Sequence, residues 1–220
     1  MKEPAAEKGD SMADTRIQEL LNNFNRRNIK GFYCAGKDEA HAKILEFIPE
    51  SASVGFCGSQ TLEQLEIVEM LQSRGNNVLN QYDFNLSRDE SMRIRKLSIQ
   101  ADYYLCSANA VSMGGELVFL SAYGHRIAGI SVANRVIVVC GINKIVETRE
   151  AAVKRAREYA TPLNVKRLHW DTPCAKDGIC HEDVCFTSDY NRMCCQMLVV
   201  EAEVDPERMI VILVGENLGF

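Results

Sequence analysis

The sequence predicts an α/β domain built on a largely parallel sheet flanked by helices, closed by a C-terminal cysteine-rich loop. Three observations predict it. Short apolar, β-branched runs alternate with stretches of helical periodicity along most of the chain, as in successive strand–helix–strand units. One run, Val136-Ile-Val-Val-Cys140, is apolar at every position, which marks a strand covered on both faces. Glycines, serines and threonines follow the apolar runs where strands must turn into helices, and Ser87 and Glu90 have the spacing of a reciprocal helix cap.

Taken in order, residues 1–13 are polar and read as a flexible tail, and 14–220 as a single domain. A helix is expected from Asp14 as N-cap, with Ile17, Leu20, Leu21 and Phe24 on one face. Strands are expected at 30–35, 52–57, 76–81, 102–107, 116–121, 126–132, 136–140, 197–203 and 209–214. Between them, helices are expected from Asp38 to Pro49, from about Thr61, where Gln64 completes a capping pattern, and from Ser87 onward with Ile94, Leu97 and Ala101 inward. A last helix, 148–160, turns Ala152, Val153, Ala156 and Tyr159 inward and stops before Pro162.

Size and charge narrow the function. A hydrophobic share of 46% and a charged share of 25% are those of a soluble globular protein with a full core. A net charge of -5 argues against a general nucleic-acid or membrane-surface partner. No apolar run reaches the ~18–20 residues that span a bilayer, and the N-terminus lacks the apolar stretch of a signal peptide. The expected compartment is the cytoplasm, where thiols stay reduced and clustered cysteines bind metal or do chemistry more often than they form structural disulfides.

Such a cluster is present at 171–195. Five of the nine cysteines, Cys174, Cys180, Cys185, Cys194 and Cys195, fall within 22 residues, spaced C-x5-C-x4-C-x8-C with Cys195 adjacent to the last. Four thiolates from one loop can surround a single soft metal centre, since each is a short, polarisable anion. Gly178 and Pro173 let the backbone fold back, and Asp177 and Asp183 add negative charge. Cys174, Cys180, Cys185 and Cys194 are the candidate ligands, with His181 beside them rather than among them. The alternatives are a disulfide-stapled loop or inert buried thiols.

A ligand in an open α/β sheet gathers beyond the carboxyl ends of the strands. Four such exits carry suitable groups: Gly58, Ser59 and Thr61; Asn109, Ser112, Gly115 and Glu116; His125 and Arg126; Asn143 and Lys144. Lys144, as an exposed and mobile point charge, and Arg126 suit a small anionic metabolite, which Asn109 and Asn143 would orient. Glu116 is the candidate base or nucleophile. Any of these segments is equally readable as a turn chosen for backbone geometry. The chain has no G-x-G-x-x-G, no G-x-x-x-x-G-K-[ST] and no H-E-x-x-H.

Together, Asp102-Tyr-Tyr-Leu-Cys-Ser-Ala-Asn-Ala110, Gly115-Glu-Leu117, Gly124-His-Arg-Ile-Ala128, Val136-Ile-Val-Val-Cys-Gly-Ile-Asn-Lys144, Pro162-Leu-Asn-Val-Lys-Arg-Leu168 and Thr172-Pro-Cys174 resemble the LUD (lactate utilisation) domain family. The resemblance runs from about Ile17 to the end. It implies a fold like that of the NagB/RpiA/CoA-transferase superfamily and a link to lactate oxidation alongside iron–sulfur subunits. One branch of the family has a C-terminal pattern like Cys-x5-Cys-x2-Cys-x6-Cys, associated with a [4Fe-4S] cluster. Cys174 and Cys180 match it, while Cys185 and Cys194 follow gaps two residues longer. Cys57 stands where glycine is usual, His125 replaces an asparagine, and Ser112-Met-Gly114 replaces a more polar stretch.

The leading expectation is an iron–sulfur redox or electron-transfer protein with a small-anion pocket, linked to 2-hydroxy-acid oxidation, with redox partner subunits and room for a homo-oligomer. The second is an enzyme of CoA-transferase or sugar-phosphate-isomerase type, with Glu116 reacting and Lys144 binding the anion. The third is a ligand-binding subunit stabilised by Zn.

Overall fold

The computed structural model describes residues 7–220 except Phe84, Asp183, Ser188 and Tyr190, with side chains from Asp14 onward. Its centre is a six-stranded sheet of β1 (Lys30–Cys34), β2 (Ser53–Phe56), β3 (Asn77–Leu79), β4 (Tyr103–Cys106), β7 (Arg135–Gly141) and β10 (Met209–Val214). All neighbours run parallel, in the order β1-β10-β7-β4-β2-β3. A second sheet joins β5 (Ala110–Ser112), β6 (Leu117–Ser121), β8 (Ile145–Val146) and β9 (Gln196–Val200) in the order β8-β5-β6-β9, with β6 antiparallel to both its neighbours. The helices are α1 (Glu7–Arg26), α2 (Lys37–Phe47), α3 (Gln60–Gln64), α4 (Ile67–Arg74), α5 (Arg88–Ser98), α6 (His125–Val132), α7 (Arg149–Arg155), α8 (Thr161–Arg167) and α9 (Pro173–Asp177). No helix among the described residues is long and apolar enough to cross a membrane.

Side-chain alternation divides the core into layers. On β7, Val136, Val138 and Cys140 face one side of the large sheet, with Leu20 and Phe24 of α1 and Ile130 of α6. Ile137 and Val139 face the other, with Ala40 and Ile44 of α2 and Leu71 of α4. Burial on both faces is what the unbroken apolar run required. The small sheet extends the first layer: Leu117 and Phe119 of β6 point into it, while Val118 and Leu120 point outward to Ala152, Ala156 and Cys194. All five β6 residues are buried for this reason.

Several expectations needed correction. Residues 126–132 are helical, not a strand. The run holds the β-branched Ile127, Ile130 and Val132, but it forms α6, in which Gly129 lies so close to Tyr104 that a Cβ there would overlap the ring. The first helix begins at Glu7, ahead of Asp14, so residues 7–13 are helical; the expected tail at 1–6 lies outside the described residues. The cap of α3 is Ser59, whose hydroxyl accepts from the Leu62 amide at 3.3 Å; Thr61 is already inside the helix. The apolar stretch after it is two helices, broken at Glu66, which takes a left-handed φ of 51°. The short strands β5 and β8 were not expected.

Pro162 does not end the helical segment that starts at Thr148. Residues Ala156–Ala160 open into a π-helical turn, Thr161 donates its hydroxyl to the Ala156 carbonyl at 2.9 Å, and α8 continues to Arg167. The wider turn accommodates a proline ring and its missing N–H, which a regular helix would not. Tyr159 consequently rotates outward and is 53% exposed.

The end of α8 is a strained stop. His169 has a φ of 51°, its amide donates to Lys166 O at 3.3 Å, and the Trp170 amide donates to Val165 O at 2.9 Å. This double-bonded terminus normally has glycine at the left-handed position. His169→Gly is expected to stabilise the protein by about 0.5–1 kcal/mol, because the Cβ penalty disappears. Thermal unfolding should show a midpoint rise of about 1–4 °C; an unchanged or lower midpoint would mean that the histidine ring makes compensating contacts.

Candidate functional site: a cationic pocket beside four cysteines

The carboxyl ends of β2, β4 and β7 open onto a common hollow. Gly58 and Ser59 follow β2, Ser107 and Asn109 follow β4, and Lys144 follows β7. An inner nook of about 30 Å³ is lined by Ser59, Ser107, Asn109, Arg126 and Lys144 among others. It adjoins an outer chamber of about 330 Å³, and Gly58, Asn109, Arg126 and Asn164 line both.

Lys144 is not the exposed point charge expected from sequence. It is only 3% exposed, and its ammonium donates to Thr61 Oγ1 at 2.8 Å and Ser107 Oγ at 2.9 Å. Burial, with the charges of Arg155 and Arg126 adding to it, pulls the lysine pKa down to about 8.

Arg126 spans the two hollows. Its guanidinium donates to Gly58 O at 2.6 Å, Leu120 O at 3.1 Å and Asn109 Oδ1 at 3.4 Å. Arg155 donates to Asn109 O at 2.6 Å and Asn143 O at 3.0 Å. Three cations are therefore held by neutral oxygens, and among the described residues no carboxylate pairs with any of them. Nor does an Asp or Glu line either hollow. Positive groups without a carboxylate beside them give the nook the sign that a carboxylate or phosphate complements.

His125 lies in the outer wall as a neutral imidazole. Burial, then the charges of Arg95 and Arg126, push its pKa down to about 4. Its Nδ1 and Arg95 Nε are buried without a hydrogen-bond partner among the described residues. Beneath the nook lie the thiols of Cys57, Cys106 and Cys140, all buried. Burial first, and then Cys57 beside it, raises the Cys106 pKa well above the usual thiol range.

Not every expected residue reaches this hollow. Asn143 spends its amide on the C-terminal segment, accepting from the Leu218 amide at 3.0 Å and donating to Gly219 O at 3.2 Å. Ser112, Gly115 and Glu116 sit at a different junction, against α1. There Glu116 pairs with Arg27 at 2.5 Å and accepts a hydrogen bond from the Ser112 hydroxyl, and Gly115 lies against the Arg27 side chain. Burial is the largest single influence and opposes ionisation of Glu116, but the hydrogen bonds from Ser112 and the backbone, with the charges of Arg27 and Arg149, together lower its pKa. A carboxylate held ionised in an ion pair is poorly placed to act as a base. Several pocket residues were missed from sequence: Asn164, Arg95, Tyr82, Arg167 and Trp170, whereas Ser107 opens the strand exit 107–116 that the sequence did point to. Asn164 lies within the run Pro162–Leu168, which was the available signal; the others come from distant helices and turns.

The cysteine loop forms the remaining wall, through Cys194. Cys174 is buried in α9, and Thr172 Oγ1 lies 3.4 Å from its sulfur. Cys185 is buried in a short 3-10 turn, Val184–Phe186, while Cys180 and Cys194 are half-buried. Each of these four thiols stands within electrostatic reach of the other three. Burial foremost, and then the neighbouring sulfurs, raise the pKa values of Cys180 and Cys185; burial also raises that of Cys194, against the nearby Arg192. Cys195 is exposed and donates its thiol to Arg192 O at 2.9 Å. His181 bonds Asp177 at 2.6 Å; Asp183 lies outside the described residues.

Glu182 pins the loop, held by Arg157 at 2.5 Å and Arg192 at 3.4 Å, while Arg192 also stacks on Phe186 at 4.1 Å. All nine cysteines are free thiols, so no disulfide staples the loop. Among the described residues, no three His, Cys, Asp or Glu side chains are grouped tightly enough to grip an ion as they stand. The donor set nonetheless suits a soft centre: four sulfurs from one loop within electrostatic reach of one another, each able as a thiolate to bind a soft metal ion.

Comparison with known proteins adds the family. A crystal structure of a DUF162 family protein from Deinococcus radiodurans superposes with a TM-score of 0.48 at 12% identity, over 93% of this chain and 98% of that one. No curated protein matches the chain. The model of the LUD domain matches residues 17–214, which takes in both sheets, the cationic pocket and the cysteine loop. The chain thus belongs to the LUD domain family, which is associated with lactate utilisation.

Proposed function

We propose that this protein is an iron–sulfur redox or electron-transfer protein, with Cys174, Cys180, Cys185 and Cys194 holding a [4Fe-4S] cluster beside an anion pocket. The observation that carries the reading is the gathering of four thiols from one loop, one of which also lines the cationic pocket. When bound, such a cluster supplies one-electron transfer at the pocket wall. The chain's own residues do the rest. Lys144 and Arg126 bind the anionic head of a ligand, Ser59, Ser107 and Asn109 orient it, and the neutral His125 forms part of the outer wall. A role beside 2-hydroxy-acid oxidation, with partner subunits completing the two-electron reaction, accords with the family's association with lactate utilisation.

The CoA-transferase-type alternative needed Glu116 at the ligand, and Glu116 is engaged with Arg27 and Ser112 instead. A structural zinc is the remaining competitor for the thiols. Anaerobic purification with metal analysis and a visible spectrum decides between them. The expected result is about four irons per chain and a brown absorption. A colourless protein with one zinc would establish the structural site instead, since Zn²⁺ is d¹⁰.

A further inference from the structure

We propose that the ligand of this pocket is an anion carrying a flat aromatic body, its charged head in the nook and its ring in the outer chamber. The inference rests on the anion-pocket reading and adds the ligand's chemical class. The two hollows differ in chemistry as well as size. The nook, about 30 Å³ and walled by Lys144, Ser59 and Ser107, has room for a small charged group and little more. The outer chamber, about 330 Å³, reaches the range of pockets that enclose whole organic ligands. A three-carbon hydroxy acid with its carboxylate in the nook would leave that chamber nearly empty.

The outer walls are suited to a π-system. Tyr82, Tyr123 and Trp170 line the chamber, with Leu120, Leu168 and Met193 between them. Tyr123 is 67% exposed, so its ring surface is open at the mouth, while Tyr82 already carries the Arg95 guanidinium over its ring at 5.7 Å. Tyr123 and Trp170 meet at 6.1 Å with their planes tilted by 57°, which leaves ring faces available to a third partner. Trp170 is held in place by its indole N–H, which donates to Asn191 O, and by the strained turn at His169. Arg95 and Arg167 add planar guanidiniums to the same wall, and guanidinium planes stack on aromatic rings as well as pairing with anions.

Isothermal titration of the full chain with matched probes tests this. L-Lactate and inorganic phosphate are heads without a body; 3-phenyllactate and AMP carry the same heads with a ring. At least one ringed probe is expected to bind about tenfold or more tightly than its ringless partner, the size of effect that stacking supplies. Trp170→Ala, or the better-tolerated Tyr123→Ala, should erase that gain, and Arg126→Gln should weaken both members of the pair. The sole tryptophan gives a second readout, a change in Trp170 fluorescence on titration with AMP or 3-phenyllactate. Equal affinity within each pair, with sensitivity to Arg126→Gln retained, would overturn the aromatic ligand and leave the anion pocket standing. Failure of all four probes to bind at millimolar concentration would overturn both.

Discussion

Serine at Cys194 is expected to abolish cluster assembly, while serine at Cys195 leaves it intact. The two residues are adjacent, but they face different surroundings. Cys194 packs beside Ala156 and Met197 on the outer face of the small sheet, within electrostatic reach of Cys174, Cys180 and Cys185. Cys195 is exposed and gives its thiol to the Arg192 carbonyl. Both precede β9 directly, and in extended chain successive side chains point to opposite faces, so one centre cannot readily take both sulfurs. After anaerobic reconstitution, iron in Cys194→Ser should fall from about four per chain to near background, with loss of the brown absorption. Cys195→Ser should match wild type in both. A swapped result would move the fourth ligand to Cys195; full loading of both variants would remove this pair from the ligand set. Circular dichroism should show the same fold in both proteins, since neither substitution removes a backbone–backbone hydrogen bond and a serine hydroxyl can still donate to Arg192 O.

The second large effect belongs to Lys144. Its folded pKa, pulled down to about 8, lies below the ordinary lysine value of 10.5. Between those two values the unfolded chain holds more protons than the native one. Stability contributed by this group therefore rises with pH across that window, at up to about 1.4 kcal/mol per unit and about 3 kcal/mol in all. Buried thiols such as Cys106, whose pKa is raised, act in the opposite direction, so the test is a difference between two proteins. Lys144→Met keeps the volume and removes the charge. The hydroxyls it leaves still have acceptors, Leu218 O for Thr61 and Ala108 O for Ser107. At pH 7 the variant is expected to be more stable than wild type by about 1–3 kcal/mol and to lose anion affinity, the usual exchange of stability for function. Urea unfolding from pH 7 to 10 should show that advantage shrinking as pH rises. A variant that is less stable at pH 7, by an amount that does not change with pH, would make the ammonium a structural brace.

How much was legible beforehand varied with the range of the interaction. The parallel sheet was readable because its strands, buried on both faces, must be apolar at every position, as 136–140 and 209–214 are. The helix cap at Ser87 was readable because it depends on four consecutive residues, and Glu90 returns its carboxylate to the Ser87 amide at 2.9 Å. The cysteine spacing singled out four thiols of one loop, which lie within electrostatic reach of one another, while the Cys195 thiol donates to the Arg192 carbonyl. The helix 125–132 was not legible. Its β-branched residues Ile127, Ile130 and Val132 suit a strand, and the close packing of Gly129 on Tyr104 comes from a segment distant in the chain.

The site divided along the same line. Composition and local spacing determined which groups were available: a strand-end lysine, an arginine after a glycine turn, four cysteines on one loop. Whether a charge is exposed or buried depends on what lies above it, and that is a tertiary property. Lys144 lies under Thr61 and Ser107, which come from positions 83 and 37 residues away. Glu116 is drawn off by Arg27, 89 residues before it. Trp170 reaches the chamber because a π-helical turn carries the chain past Pro162 and a left-handed histidine then reverses it. Sequence alone thus determined the α/β sheet and the set of chemical groups. Only the folded chain decided which of them share a pocket, because burial and the pairing of charges depend on segments that approach each other across the sheet rather than along the chain.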